Sequence, residues 1–170
     1  MSTLYRYRFL LGIGGAVVAL LTKRYLIFPF LIVSGLGLCL RFWAVSYLGE
    51  DKGHLRPVRL ITAGPYRYLR HPLYLGNFLI ITGLAGYLAL PIIPAVVILG
   101  GYLIFYYFFA RIEERLLAIF PEYERYHRTV KPFLPITAYP RPEGELRVRN
   151  GLNDLPALIA VVIITIIGYW

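Results

Sequence analysis

The stretch "GPYRYLRHPLYLGN", residues 64–77, interrupts an apolar chain with charge at the point where a helix is about to begin. It carries two arginines, one histidine and three tyrosines. Pro72 suits the first turn of a helix, where its missing N–H has no intrahelical partner. We therefore expect Arg70 and His71 at a helix N-terminus, where free backbone N–H groups favour an anion.

An ordinary interfacial belt is the alternative interpretation of the same stretch. Tyrosines and arginines at a membrane surface commonly lie at headgroup level and contact lipid phosphates. On composition alone the two interpretations are equally good. The members of such a belt would be Tyr66, Arg67, Arg70 and Tyr74.

The composition is that of a membrane protein. Of 170 residues, 58% are hydrophobic and 16% are charged, and the mean hydropathy is +0.63. Ordinary soluble domains have about 25% charged residues. The net charge of +9 comes from basic residues between apolar runs, a pattern that orients membrane proteins and does not build a nucleic-acid-binding surface. We expect one integral-membrane domain over residues 1–170 and no nucleic-acid partner.

Five apolar runs predict an all-α, polytopic membrane bundle of about five transmembrane helices. Pro91 and Pro94 predict a tight turn that makes the third and fourth helices antiparallel neighbours. The first run lacks a small-x-small cleavage pattern, so we expect a retained helix and not a signal peptide. The runs are 9–21, 25–48, 73–90, 95–110 and 155–170.

The basic residues also predict the orientation of the bundle. Five lie between the second and third runs and eight between the fourth and fifth, whereas the turn between the third and fourth has none. The positive-inside rule then places both long connections in the cytoplasm, with the N-terminus inside and the C-terminus outside. Four prolines within residues 129–150 exclude a long helix there, which leaves a fixed extended strap or a mobile lid.

A second polar stretch, "RIEERLLAIFPEYERYH", residues 111–127, follows the fourth run without a helix breaker until Pro121. An aromatic stripe from Tyr102 to Phe109 ends in Glu113 at helical spacing. Such a stripe is also typical of plain packing above a solvated helix end, with charges paired at i,i+3. The stripe alone therefore does not indicate a function.

The predicted hairpin joins the two polar stretches. Because the third and fourth helices run antiparallel from a tight turn, His71 and Tyr74 must lie beside Glu113 and Glu114. The expected result is a polar, tyrosine-lined pocket at the cytoplasmic end of the bundle, open sideways to lipid.

Both stretches resemble signature blocks of one family of integral membrane methyltransferases. "TAGPYRYLRHPLYLGN" is similar to the G-x-Y-x-x-x-R-H-P-x-Y-x-G pattern of the isoprenylcysteine carboxyl methyltransferases and phospholipid methyltransferases. "EERLLAIFPEYERYHRTVKPFLP" resembles the second block, with its acidic pair, Glu-Tyr and closing proline. The resemblance covers about residues 58–135.

The resemblance implies S-adenosyl-L-methionine as the methyl donor and a lipid-like acceptor with a carboxyl or amine head group that enters from the bilayer. In the family, the donor is held by the segment before the glycine-tyrosine, by that tyrosine, by the H-P-x-Y turn and by an acidic residue. Carried over, the cofactor-binding positions are Val58, Arg59, Leu60, Ile61, Tyr66, His71, Pro72, Leu73, Tyr74 and Glu113. The candidate catalytic residues are Glu114, Arg111 and Arg70, and no metal site is expected.

The chemistry of these side chains agrees with such roles. Tyrosine faces attract a sulfonium cation by ~1–2 kcal/mol when it is desolvated. The donor's carboxylate suits the helix start with Arg70 or His71, and its amino or ribose groups suit Glu113. An amine acceptor can lose a proton to Glu114 or His71, whereas a carboxylate acceptor needs only a cation such as Arg111.

Two departures from the family pattern argue against a prenylcysteine acceptor. Phe109 stands where that branch has an arginine one helical turn before the acid. The acidic block is also a couple of residues shorter, with Pro121 in place of the usual glycine.

Two other function classes stay open. Membrane sterol reductases with a nicotinamide cofactor carry a similar R-H-P-x-Y-x-G turn, but usually place an acid where Asn77 stands here. A non-catalytic lipid-binding membrane protein is the third class. The clustered ionisable groups argue against it, because such groups at a membrane helix end are more often functional.

Overall fold

The computed structural model describes residues 29–48 and 59–170. Within these ranges the regular structure consists of helices, with one isolated β-bridge between Leu69 and Lys131. The predicted first span, 9–21, and the predicted cofactor-binding residue Val58 lie outside the described residues.

Six α-helices occupy the described part of the chain, and four of them coincide with the second to fifth predicted spans. A short 3₁₀ turn, Gly64–Arg67, precedes α2, and another, Leu152–Asp154, joins α5 to α6. The helices are α1 (Pro29–Leu48), α2 (Pro72–Tyr87), α3 (Ile92–Leu117), α4 (Tyr123–Thr129), α5 (Val148–Gly151) and α6 (Leu155–Tyr169).

The prediction of an all-α membrane bundle is confirmed. Three helical segments are long and apolar enough to cross a membrane, namely Pro29–Leu48, Ile92–Leu117 and Val148–Tyr169. The 16-residue helix α2 is shorter but equally apolar in character. Helix α3 carries many exposed large apolar side chains, which suits a surface in contact with lipid. These include Ile92, Ile93, Val96, Val97, Leu103, Ile104 and Phe108.

Helices α1 and α2 pack closely because glycines line their contact. A Cβ on Gly37 of α1 would lie 2.6 Å from the carbonyl oxygen of Gly76 in α2. A Cβ on Gly83 would lie 2.6 Å from the backbone nitrogen of Ser34. The Ser34 hydroxyl donates to the carbonyl oxygen of Ile80 at 3.1 Å. Small residues at such a seam let two membrane helices approach backbone to backbone.

The turn between α2 and α3 forms the predicted hairpin, but the chain reverses at Ala89 and not at the two prolines. Ala89 adopts a left-handed φ of 45°. Its N–H donates to Gly86 O at 3.0 Å, and the Leu90 N–H donates to Ala85 O at 3.0 Å, which is a Schellman helix end. Pro94 lies in the first turn of α3 and not in the turn itself. The chain therefore reverses before the prolines.

The proline-rich segment between α4 and α5 is an extended strap over the start of α2. The Tyr139 N–H donates to Arg67 O at 2.8 Å, and Glu143 O accepts from Thr62 N at 2.9 Å. Further on, the Arg147 N–H donates to Ser46 O at 2.9 Å. These backbone hydrogen bonds fix residues 131–147 against the 3₁₀ turn and α1, so the alternative left open by the sequence is decided in favour of a strap.

Candidate functional site

The start of α2 and the end of α3 meet as the hairpin requires. Nε2 of His71 lies 3.2 Å from a carboxylate oxygen of Glu114. The Tyr74 hydroxyl donates to Glu113 at 2.7 Å. Arg70 forms an ion pair with Glu114. The expected juxtaposition of the two polar stretches is confirmed.

The two adjacent acids differ in exposure. The Glu114 side chain is 12% exposed and also lies 3.7 Å from Nε2 of His127. The Glu113 side chain is 45% exposed, although it accepts the Tyr74 hydrogen bond. Glu114 is therefore enclosed by Arg70 and two imidazoles, whereas Glu113 remains accessible to a ligand.

His71 is the most enclosed ionisable group of the site, with its side chain 2% exposed. Burial disfavours its charged form, but the carboxylates of Glu113 and then Glu114 outweigh that effect and raise the pKa of His71 above its ordinary value. Its Nδ1 lies 3.5 Å from Glu113 and has no hydrogen-bond partner among the described residues.

Two further buried polar atoms near Glu114 also have no hydrogen-bond partner in the part of the chain that the structure describes. They are Nε of Arg70 and the hydroxyl of Tyr123. Burial raises the pKa of Tyr123 to about 12, so its hydroxyl stays protonated at neutral pH. Together with Nδ1 of a protonated His71, these atoms are hydrogen-bond donors that a ligand rich in oxygen could satisfy.

Aromatic rings form one wall of the site. The rings of His71 and Tyr74 stack at 5.3 Å, and the ring of Tyr106 lies 4.5 Å from that of Tyr74. The Tyr102 ring lies 4.2 Å from Tyr106, and its hydroxyl donates to the carbonyl oxygen of Tyr74 at 2.8 Å. The aromatic stripe of α3 thus continues into the ring pair at the start of α2, and its faces suit a cation.

The segment before α2 reaches the same end of the bundle. Ile61 and Tyr66 are buried together with Ala44 of α1, and Leu73 packs against this cluster. Pro72 is fully buried at the first position of α2. The predicted positions 61, 66 and 71–74 therefore lie close together.

A cavity of about 450 Å³ lies between this segment and the strap. It is lined by the predicted residues Arg59, Leu60 and Ile61, by Phe120, and by strap residues 143–145 and 147. A second cavity, of about 590 Å³, is lined by Glu114, the predicted catalytic Arg111, His127 and, again, Phe120. Phe120 is the residue that the two linings share.

The strap binds the backbone N–H groups of Arg70 and His71, the two residues that directly precede α2. The Arg70 N–H donates to Lys131 O at 3.0 Å, and the His71 N–H donates to Pro132 O at 3.2 Å. The strap satisfies both groups because its chain lies directly across the helix start.

Sequence reasoning missed two contributions to the site. Phe133 of the strap brings its ring to 6.0 Å from that of His71. Arg41 of α1 contacts Asn77 and Asp154 near the tyrosine wall. A charged residue inside an apolar run was the available signal for Arg41, since such residues in membrane helices are rarely idle. Nothing local in the sequence indicates Phe133.

No group of three or more His, Cys, Asp or Glu side chains that could hold a metal ion is present among residues 29–48 and 59–170.

The fold and the site define a polytopic helical membrane protein with a polar, tyrosine-lined site at one end of the bundle. The chain belongs to the phospholipid methyltransferase family, whose family model matches residues 24–121. This is the family that the two sequence blocks indicated, and it is a family of membrane methyltransferases.

Two curated relatives are named for metal resistance. The chain is 34% identical over 112 residues to the nickel-cobalt-cadmium resistance protein NccN of Alcaligenes xylosoxydans xylosoxydans, a match covering 65% of this chain and 50% of the relative. It is 35% identical over 122 residues to the cobalt-zinc-cadmium resistance protein CzcN of Cupriavidus metallidurans, covering 68% and 54% respectively. The chain thus spans about half the length of these relatives. No solved structure matches it significantly.

Proposed function

We propose that the protein transfers a methyl group from S-adenosyl-L-methionine to a lipid-like acceptor at the end of the bundle where α2 starts and α3 ends. The observation that carries the proposal is a group of five side chains joined by hydrogen bonds and ion pairs, in a chain that belongs to a methyltransferase family. They are Arg70, His71, Tyr74, Glu113 and Glu114.

The residues present fit this donor. Buried donor atoms of Arg70, His71 and Tyr123 that have no partner among the described residues suit the oxygens of a carboxylate. The ring faces of Tyr74 and Tyr106 suit a cationic sulfur. These side chains therefore offer complementary groups for the carboxylate and for the sulfonium of S-adenosyl-L-methionine.

When bound, S-adenosyl-L-methionine supplies an electrophilic methyl group on a positively charged sulfur. Glu113 can accept hydrogen bonds from its amino or ribose groups, because this carboxylate is half-exposed. Arg59, Leu60 and Ile61 line a cavity of about 450 Å³, which lies in the range of small-molecule sites, about 300–1,000 Å³. We assign them, with Tyr66, Pro72 and Leu73, to the wall that holds the donor.

The acceptor determines what the remaining residues must do. An amine acceptor has to lose a proton, for which Glu114 and the neutral form of His71 are the candidates. A carboxylate acceptor needs no base but a cation to orient it, and Arg111 is exposed beside the second cavity. We place the site on the cytoplasmic face by the positive-inside rule.

Donor binding tests the assignment directly. In calorimetric titration of the purified protein with S-adenosyl-L-methionine, we expect binding by the wild type and loss of binding in His71→Ala and Glu113→Ala. Arg125→Ala, an exposed residue of α4 outside the site, serves as the control and should bind like the wild type. Wild-type affinity in either site variant, with an unchanged unfolding temperature, contradicts the assignment.

The acceptor is found by following the methyl group. Membranes containing the protein are incubated with donor carrying a labelled methyl, and the lipids are separated by chromatography and identified by mass spectrometry. We expect the label in a lipid-like fraction, and its absence in membranes with Glu113→Ala. Label confined to water-soluble products contradicts the lipid-like acceptor while leaving donor binding intact.

A further inference from the structure

Arg41 is the one charged residue in helix α1. Its side chain is 12% exposed and lies in a helix otherwise suited to a membrane. A charged side chain in such a position is costly, and it normally pairs with another group of the protein. The partners of Arg41 therefore indicate its role.

Asp154 is the first partner. Nε of Arg41 donates to one carboxylate oxygen of Asp154 at 2.9 Å, and Nη2 donates to the other at 2.5 Å. The Asp154 side chain is 5% exposed and precedes α6, whose N-terminal dipole also favours an acid. The two-point contact holds the plane of the guanidinium group in one orientation.

Asn77 of α2 is the second partner. Nη1 of Arg41 donates to the side-chain oxygen of Asn77. Because arginine has only donors, the oxygen of the Asn77 amide must face it, and the NH₂ group must point the other way. That NH₂ group donates to the hydroxyl oxygen of Tyr106 at 3.2 Å. Arg41 thus sets the direction of the hydrogen bond that Tyr106 receives.

Tyr106 belongs to the aromatic wall of the site. Its ring lies 4.5 Å from that of Tyr74 and 4.2 Å from that of Tyr102. Tyr74 in turn donates to Glu113. A rotation of Tyr106 would move the ring faces assigned to the cationic sulfur.

We propose that Arg41, held by Asp154, is a positioning residue that orients the Asn77 amide and thereby fixes Tyr106 in the aromatic wall of the donor site. The inference rests on the proposed function, since it assigns the wall to the methyl donor. It gives the intramembrane ion pair a role beyond joining α1 to α6, because the third arginine nitrogen acts on a ring of the site.

A double-mutant cycle tests the relay from Asn77 to Tyr106. The measured quantity is the dissociation constant of S-adenosyl-L-methionine, by calorimetry, with the unfolding temperature recorded for each variant. We expect Asn77→Leu and Tyr106→Phe each to weaken binding by about tenfold. Both substitutions remove the same hydrogen bond. The double variant should therefore bind S-adenosyl-L-methionine no more weakly than whichever single variant binds it less tightly. If the two losses of affinity multiply in the double variant, the two residues act independently and the relay is wrong.

Paired replacement separates positioning from helix packing. Exchanging a buried ion pair for apolar residues of similar size is often neutral for stability, so Arg41→Met combined with Asp154→Leu should unfold near the wild-type temperature. We expect this variant to bind the donor about tenfold more weakly. Wild-type affinity in the folded paired variant overturns the proposal. If the wild type itself does not bind the donor, the proposed function fails and the inference with it.

Discussion

Glu113 and Glu114 are neighbours in the chain but have different surroundings. Glu114 is enclosed with Arg70 and His71, whereas Glu113 is half-exposed and held by the Tyr74 hydroxyl. Glu114 therefore balances charge where the start of α2 meets the end of α3, whereas Glu113 can contact a ligand. The difference arises because consecutive helical positions point about 100° apart.

Amide substitutions separate the two roles. Glu114→Gln leaves Arg70 without its charged partner, so we expect the protein to lose about 2 kcal/mol of unfolding free energy. Glu113→Gln keeps a hydrogen-bond acceptor at a half-exposed position and should unfold like the wild type, but bind S-adenosyl-L-methionine more weakly. Thermal unfolding and calorimetry on the same samples distinguish the variants. Equal stability of both variants contradicts the assignment.

The raised pKa of His71 predicts a pH dependence of stability. In the folded state the proton is held more tightly than in the unfolded chain, so the stabilisation is fully present below the ordinary pKa of 6.5. It is lost as the pH rises through the higher folded-state pKa, because the neutral ring is no longer attracted by the two carboxylates.

We expect the wild-type unfolding temperature to fall over that range relative to His71→Asn. Subtracting the unfolding temperature of His71→Asn from that of the wild type removes the contribution of other titrating groups. One of these is His127, whose pKa is lowered by burial and by Arg70. A constant difference across the range contradicts the charged state of His71.

At the scale of elements, α1 and α2 pack closely along a seam of glycines, Gly37, Gly76 and Gly83. This packing holds the start of α2, where the site lies. A Cβ on Gly83 would lie 2.3 Å from the Ser34 hydroxyl and 2.7 Å from the Phe30 carbonyl oxygen. Both are closer than side-chain carbons approach in real structures. The backbones of the two helices must then separate.

Gly83→Ala should therefore destabilise the protein, by about 1–3 kcal/mol as expected for overpacking. Gly100→Ala in α3 is the matched control, since nothing lies within 4 Å of an added Cβ there. Because alanine is the better helix former, we expect the control to be neutral or slightly stabilising. Thermal unfolding in detergent measures both; a stable Gly83→Ala would mean that the seam is looser than the structure shows.

At the scale of the whole molecule, the ends of α1 and α3 lie with the starts of α2 and α6. The contacts Arg41–Asp154 and His71–Glu114 require this arrangement. The site thus lies at one end of the bundle. By the positive-inside rule, the basic connections predict that this end faces the cytoplasm.

Labelling of single cysteines tests the orientation. In a Cys39→Ser background, Arg125→Cys lies at the site end, and Pro91→Cys lies at the opposite turn. With a membrane-impermeant maleimide, we expect Pro91→Cys to react in intact cells and Arg125→Cys to react only after permeabilisation. The opposite pattern would place the site on the outer face.

The sequence alone determined the membrane class, the second to fifth spans and the meeting of His71 and Tyr74 with the two acids. These follow from local properties, because hydropathy sets the spans and a short turn makes successive helices antiparallel. The family match covers the first sequence block and the start of the second.

Only the tertiary structure decided which acid is enclosed, that the strap occupies the backbone amides of Arg70 and His71, and that Arg41 meets Asp154. The last pair is separated by 113 positions. No local pattern encodes such contacts, because they depend on how the helices rotate and on where an irregular chain crosses them.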